Sequence, residues 1–378
     1  MNVSQWQWTS ASGLQMKLGG GGSSAQLALL FGTRAALQDP ASITSIRGQF
    51  PSAILLGCST AGEILDTRVY DETVSVTAIC FDATRVAASS VTITNPAESH
   101  AAGATLARSF ATEGLVHLFV LSDGLNVNGS ELVKGLSENL PAGTTLSGGL
   151  SGDGEAFGET LVVLNDAGSS RTVAAVGFYG DRLQVGCASL GGWDSFGSER
   201  LVTRSEGNIL YELDGLSALE LYKRYLGEHA QLLPSSGLLF PLSMRNPKDD
   251  SSVVRTILAV DEEAQSLTFA GDVPEGWYGR LMKANFDRLI DGAIGAARIS
   301  VAGIAEAVDF AILISCVGRR MVLRQRTEEE LEGVRDLVGP SPFLTGFYSY
   351  GEISPSTPDA PCVLHNQTMT ITSFREIS

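Results

Sequence analysis

Cysteine is scarce in this 378-residue chain, and the five present (Cys58, Cys80, Cys187, Cys316 and Cys362) stand far apart with no CxxC pair. That spacing argues against a disulfide-stapled fold, a zinc ribbon or a redox dithiol, and fits reduced thiols in a cytoplasmic protein. Histidine is scarcer still, at four, and there is neither an HExxH stretch nor a GxSxG elbow. Basic residues are outnumbered: 26 Lys and Arg against 42 Asp and Glu leave a formal net charge of -16. Such a field repels phosphate backbones and anionic headgroups, so no nucleic acid partner is expected. No run of about 18 apolar residues exists, and MNVSQWQWTS has neither the basic nor the apolar part of a leader, so no membrane association is expected either.

What the chain does have is apolar residues (44%) and 42 glycines, a composition suited to globular cores joined by tight turns. Its length exceeds what one core readily holds, so two domains are expected, residues 1–214 and 215–378. The division follows the polar stretch SERLVTRSEGN and precedes a helix spaced over Leu216 to His229. LGGGGSS, at Leu18 to Ser24, lacks the Lys-Ser/Thr ending of a phosphate-binding loop and reads as a flexible approach to the first strand.

One order of elements recurs three times. AQLALLFG reads as a strand, Thr33 to Phe50 has room for a helix broken near Pro40, and SAILLGCSTAGEI is a strand ending in a glycine turn. VHLFVLSDG, SELVKGLSENL and TTLSGGLSGDG repeat the order, as do DFAILISCVGRR, TEEELEGVRDLV and FLTGFYSYGEI. Each set predicts two parallel strands joined by a right-handed crossover. VSVTAICF, ETLVVLN, TVAAVGFYG, LQVGCASL, SLTFAG and HNQTMTITSF add antiparallel strands. The expected fold is therefore mixed α/β, two domains with mixed parallel and antiparallel sheets built from repeated βαβ units. A further helix is spaced over Arg280 to Ala297, and Thr327 with Glu330 spells a capping box.

Glycines at the carboxyl end of a parallel strand let backbone approach a ligand, and ligands of open α/β sheets sit at that edge. The acids of the three turns, Glu63, Asp153 and Glu352, would receive an ammonium group, with hydroxyls such as Thr60 as donors; alternatively each acid caps nearby amides. Arg319, after the strand DFAILISC, would hold a carboxylate through two parallel bonds, or else Arg319 or Arg320 pairs with Glu329 or Glu330. Ser122 and Asp123 occupy the matching strand end of the second repeat, where Asp123 alternatively caps the next turn. Tyr348 and Tyr350 share one face of an extended strand, as a pocket wall or as core.

GCSTAGEI, LSDGL, SGGLSGDG, GGW at Gly191 to Trp193, Cys316 with Gly318 and Arg319, GFYSYGEI and LHNQTMTIT together resemble the FIST domain, over nearly the whole chain. The resemblance implies a FIST N part and a FIST C part in a cytoplasmic sensory protein of signal transduction. It would bind a small molecule such as an amino acid and signal to a separate histidine kinase, diguanylate cyclase or chemotaxis protein. It adds Arg255, Cys316, His365 and Asn366 to the expected ligand-binding set. Cofactors are not expected, but some members of the family look like haem-binding nitric oxide sensors. Of the four histidines only His365 stands inside a family motif, so it alone would serve as an axial ligand. A catalytic reading is the rival: Cys316 with His365 as a thiol nucleophile and base, or Ser122 or Ser349 in a hydrolase.

Overall fold

The computed structural model describes residues 1–20 and 24–377, apart from the side chain of residue 235. Residues 21–23, at the centre of LGGGGSS, lie outside the described residues. The described residues form three mixed sheets of six strands and one antiparallel sheet of nine. The mixed α/β expectation holds.

Each six-stranded sheet is organised around a parallel pair. The pairs are Leu27–Gly32 with Ile54–Ser59, Leu115–Ser122 with Thr145–Leu150, and Phe310–Cys316 with Phe343–Ser349. Their strands are near-continuous apolar runs because both faces are covered. In the first crossover Thr33 caps Arg34–Gln38, and Asp39 caps Pro40–Gln49, where proline falls at the tolerated first position. Asn128 caps Gly129–Ser137 in the second crossover by accepting from the amides of Ser130 and Glu131. An antiparallel strand lies beside the first strand of each pair: Val74–Cys80, Thr172–Tyr179 and Met369–Glu376.

On its other side every pair is completed by a strand from a different unit. After the first glycine turn, Glu63–Leu65 pairs with Phe343–Ser349 of the third unit. After the third turn, Gly351–Pro355 pairs with Thr145–Leu150 of the second. After the second, Val162–Leu164 pairs with Ile54–Ser59 of the first, closing the cycle. Where the turns meet, three backbone hydrogen bonds repeat the same relation: Ala61 N to Tyr348 O (2.8 Å), Tyr350 N to Leu150 O (3.2 Å), and Gly152 N to Ser59 O (2.9 Å).

The repeated glycine has a geometric cause. A Cβ at Gly57, Gly148 or Gly346 would stand 2.2, 1.9 or 1.7 Å from the carbonyl oxygen of Leu30, Val120 or Leu313 on the neighbouring parallel strand. Only hydrogen fits there.

Between Leu183–Leu190 and the helix Phe286–Val301 the third unit carries an insertion, the nine-stranded sheet with helix Ala218–Leu226 against it. It has its own core, including Val202, Leu219, Tyr222 and Phe269. Its strands lie on both sides of position 214, and Leu183–Leu190 pairs with Met369–Glu376, so the stretches 1–214 and 215–378 share sheets.

Three local expectations are corrected. Arg280 and Met282 belong to the strand Tyr278–Lys283, and the helix starts at Phe286, where the Asn285 side chain accepts from Arg288 N. Helix Ala218–Leu226 ends in a 3-10 segment, Gly227–Leu232, short of the expected continuous helix. Thr327 and Glu330 form no capping box, because Thr327 Oγ1 donates to Arg324 O and Glu330 turns inward.

Gly346→Ala should destabilise the fold by more than about 2 kcal/mol, since the obstruction is backbone and cannot swing aside. Gly48→Ala, on a helix with open space around it, should instead stabilise by about 0.5–1 kcal/mol. Urea denaturation of both variants checks the pair of signs.

Candidate functional site

The acids expected to face a ligand are used inside the protein. Thr60 Oγ1 donates to Glu63 Oε1 (3.1 Å) and Thr73 Oγ1 to Oε2 (3.0 Å). Ser349 Oγ donates to Glu352 Oε1 (2.7 Å), and the Thr368 amide and hydroxyl donate to Oε2 (3.2 and 2.9 Å). Asp153 accepts the Tyr350 hydroxyl on one oxygen and the amides of Gly158 and Glu159 on the other (2.8 and 2.9 Å). Glu63 and Glu352 are buried because the chain enters the next sheet directly after each turn and carries the acid with it. Burial pushes Glu63 up to about 8 and Glu352 up to about 7, against the pull of their hydroxyl partners.

The two arginines after Cys316 take opposite roles. They are adjacent on helix Val317–Leu323, about 100° apart around its axis. Arg319 is fully buried: Nε and Nη2 donate to Glu330 Oε2 (3.2 and 2.7 Å), Nη1 to Gly191 O (2.8 Å) and Nη2 to Leu289 O (2.7 Å). Ser315 Oγ and the Tyr348 hydroxyl satisfy Glu330 Oε1 (3.0 and 2.7 Å). Arg319 and Tyr348 thus form a closed polar core network, and the salt-bridge alternative describes Arg319 better than the ligand one. Arg320 points outward, donating to Ala61 O (2.6 Å) and, through both terminal nitrogens, to Asp71 (2.9 and 2.6 Å).

The remaining expected residues separate. Ser122 Oγ donates to Asp123 O (3.0 Å). Asp123 caps the following turn, accepting from the amides of Leu125 and Asn126 (both 2.8 Å) and from Arg171 N (2.6 Å). Tyr350 stacks on Phe157, with centroids 4.5 Å apart and 16° between planes. Its hydroxyl and that of Tyr348 therefore serve different partners instead of one shared wall. Arg255 lies with Leu364 beside a separate cleft. Asn366 is fully buried, and neither atom of its amide has a partner among the described residues.

Cys316 and His365 do not form a nucleophile–base pair. The His365 Nε2 is 3.0 Å from Ser354 O, and burial pushes the ring down to about 4. The Cys316 thiol is buried and pushed well up, away from the thiolate form. Ser349 is fully buried against Glu352, and Ser122 is fully buried too. An axial haem position does not fit His365 either: the ring is buried, its Nε2 is engaged by backbone, and it lines none of the clefts described below.

Open space does adjoin the turns. A cleft of about 560 Å³ is lined by Ala61 after the first turn, Gly154 and Glu155 after the second, and Val317, Arg320 and Arg324 after the first strand of the third unit. Asp71 and Leu239 complete its sides. Arg324 and Glu155 are exposed, and their side chains have no hydrogen bond or ion pair among the described residues. A second cleft, of about 290 Å³, reaches from Gly124, Leu150 and Tyr350 to Asn208 and Phe269 of the insertion. Sequence reading missed Arg324 and Glu155. Arg324 follows the helix Val317–Leu323 as its C-cap, with φ of 50°, a position that periodicity does not reveal.

Residues 26–216 match the family model of the FIST N domain and residues 218–355 that of the FIST C domain. The chain belongs to the FIST family. FIST domains are sensory domains of signal transduction. A search of curated proteins finds no match. Among solved structures, the FIST chain is similar to cyanuric acid hydrolase from A. caulinodans, at 8% identity and a TM-score of 0.36 over 94% of this chain and 91% of that one. It is also similar to a chorismatase, at 9% identity and a TM-score of 0.33 over 99% of each chain. Nothing about reaction or ligand follows from likeness at that level.

Two measurements check the buried polar groups of this FIST protein. Removing one partner of the Arg319–Glu330 pair leaves an uncompensated charge, so Glu330→Gln should cost about 3–5 kcal/mol in urea denaturation. For Glu63 and Glu352 the folded form binds the proton more tightly than the unfolded form. Their contribution is therefore complete below about pH 4.5 and is lost as pH rises through 7 to 8. The denaturation midpoint should fall between pH 5 and 8.5 (on the order of the shifted pKa values), and the double variant Glu63→Gln, Glu352→Gln should flatten that fall.

Proposed function

We propose that this FIST protein is a receptor for a small zwitterionic metabolite such as an amino acid, held in the cleft of about 560 Å³ beside Arg320 and Arg324. The observation that carries the reading is the presence of an unpartnered guanidinium, Arg324, and an unpartnered carboxylate, Glu155, on the walls of one cleft bordered by strand ends. A carboxylate bound to the first and an ammonium to the second satisfy both poles of the solute.

The cleft also suits a sensor because its walls come from different parts of the chain. Asp71 belongs to the first unit, Glu155 to the second and Arg324 to the third, while Leu239 lies in the insertion. A solute touching all four favours the arrangement in which they lie closest, and shifts the population toward it. A separate signalling protein, a histidine kinase, a diguanylate cyclase or a chemotaxis component, would read that shift.

A thermal-shift panel of the common amino acids, alongside simple amines and carboxylates, tests the proposal. A ligand at 100 times its Kd adds about 2.7 kcal/mol of stability. Arg324→Ala should weaken binding at least tenfold (about 1.4 kcal/mol) while leaving the Tm of the free protein unchanged. A panel without a zwitterion that raises Tm, or equal affinity in wild type and Arg324→Ala, removes the reading.

A further inference from the structure

A third cleft, of about 340 Å³, opens between helix Gly129–Ser137, the strand Cys362–His365 and the insertion, and shares no residue with the cleft beside Arg324. Arg255 lines it, only 6% exposed. Its Nε donates to Asp272 O (2.9 Å), and Nη1 donates to Val254 O (3.2 Å) and Leu364 O (3.0 Å). Nη2 has no partner, and no carboxylate is within ion-pair distance of the guanidinium among the described residues. Arg319, equally deep, has Glu330; Arg255 has no counterpart to it. Burial pushes Arg255 down to about 10, while the nearby Asp272 charge pulls the other way.

The rest of the lining narrows the chemistry. Val133, Val253, Trp277 and Val363 make the walls largely apolar, and Lys134 adds a second cation at the rim. Each acid of the lining has one oxygen bonded, Glu138 Oε2 to His100 Nε2 (2.9 Å) and Asp272 Oδ1 to Asn128 Nδ2 (3.0 Å). The cleft thus offers a guanidinium nitrogen without a partner beside largely apolar surface. Those same two acids oppose a doubly charged anion such as phosphate.

We propose that this cleft is a binding site for a monocarboxylate with an apolar body, whose carboxylate pairs with Arg255 Nη2 while the body packs against Trp277 and the valines. Its dimensions fall in the range of small-molecule sites, about 300–1,000 Å³. The site is independent of the zwitterion cleft and stands whether or not that reading survives. Because its walls join the second unit to the insertion, its occupant bridges the FIST N and FIST C parts.

Calorimetric titration of the full chain with phenylacetate and with its neutral counterpart phenylacetamide tests the site. Phenylacetate should bind at least tenfold (about 1.4 kcal/mol) more tightly. Arg255→Gln should abolish the preference. Ser137→Trp, at an exposed rim position outside the core, should block binding with the Tm retained, and so keeps the test valid if the Arg255 variant does not fold. Equal affinity for the two probes, no binding of either, unchanged phenylacetate binding in Ser137→Trp, or displacement of phenylacetate by inorganic phosphate would each overturn the proposal.

Discussion

Three backbone hydrogen bonds at the meeting of the glycine turns hold the architecture together. In each, an amide just past a turn, at Ala61, Tyr350 or Gly152, reaches a carbonyl at the end of a parallel strand of another unit, at Tyr348, Leu150 or Ser59. The relation is cyclic, so the first unit cannot complete its sheet without the second, nor the second without the third, nor the third without the first. One core beneath the ring contains Phe31, Phe119, Phe178, Phe347 and Phe374, with Phe31 stacked on Phe347 at 4.8 Å. The close backbone approach that requires glycine at 57, 148 and 346 belongs to the same arrangement.

Strand exchange also explains why polar side chains are found so deep. A strand that leaves one sheet for the next carries its turn residues inward, so Glu63 and Glu352 end up in places without bulk water. Hydroxyls from Thr60 and Thr73, and from Ser349 and Thr368, take the place of solvent at each carboxylate. Arg319 faces the same problem and is answered by a full charge, Glu330, whose second oxygen is itself satisfied by Ser315 and Tyr348. Unpaired buried polar groups are costly. The contrast between these saturated networks and the unmatched Arg255 is what singles that arginine out.

Much of this was legible from sequence. The order strand, helix, strand repeats in apolar periodicity, and the three parallel pairs follow from it; the proline break near residue 40 and the glycine turns were equally plain. What periodicity does not encode is partnership at long range. GCSTAGEI and GFYSYGEI repeat the same letters, yet nothing local says that the strand after one joins the sheet of the other. For that reason Glu63 and Glu352 read as available for a solute although they are interior. Arg319 and Arg320 posed a similar ambiguity: two adjacent guanidiniums, one facing the core and one the surface, distinguished only by where Glu330 and Asp71 lie in space. Arg280 to Lys283 read as the start of a helix because Met282 fits the helical spacing of the residues that follow, whereas pairing with Leu242–Arg245 makes the stretch a strand.

The same closure bears on how a bound solute would be felt at a distance. In a sheet with free edges a displaced turn can relax locally, whereas here each turn is a link between two sheets, and a shift at Ala61 alters the hydrogen bond to Tyr348 and the pairing of Glu63–Leu65 together. Arg320 strengthens that coupling, since it holds Ala61 O and Asp71 of the first unit from a helix of the third. The cleft assigned to the zwitterion lies against those contacts. A ligand bound there as proposed would compete for, or add to, the groups that fix one unit on another, and would favour whichever arrangement of the units it contacts best. On the proposed reading the signalling output would depend less on the size of any local movement than on the absence of slack in the ring.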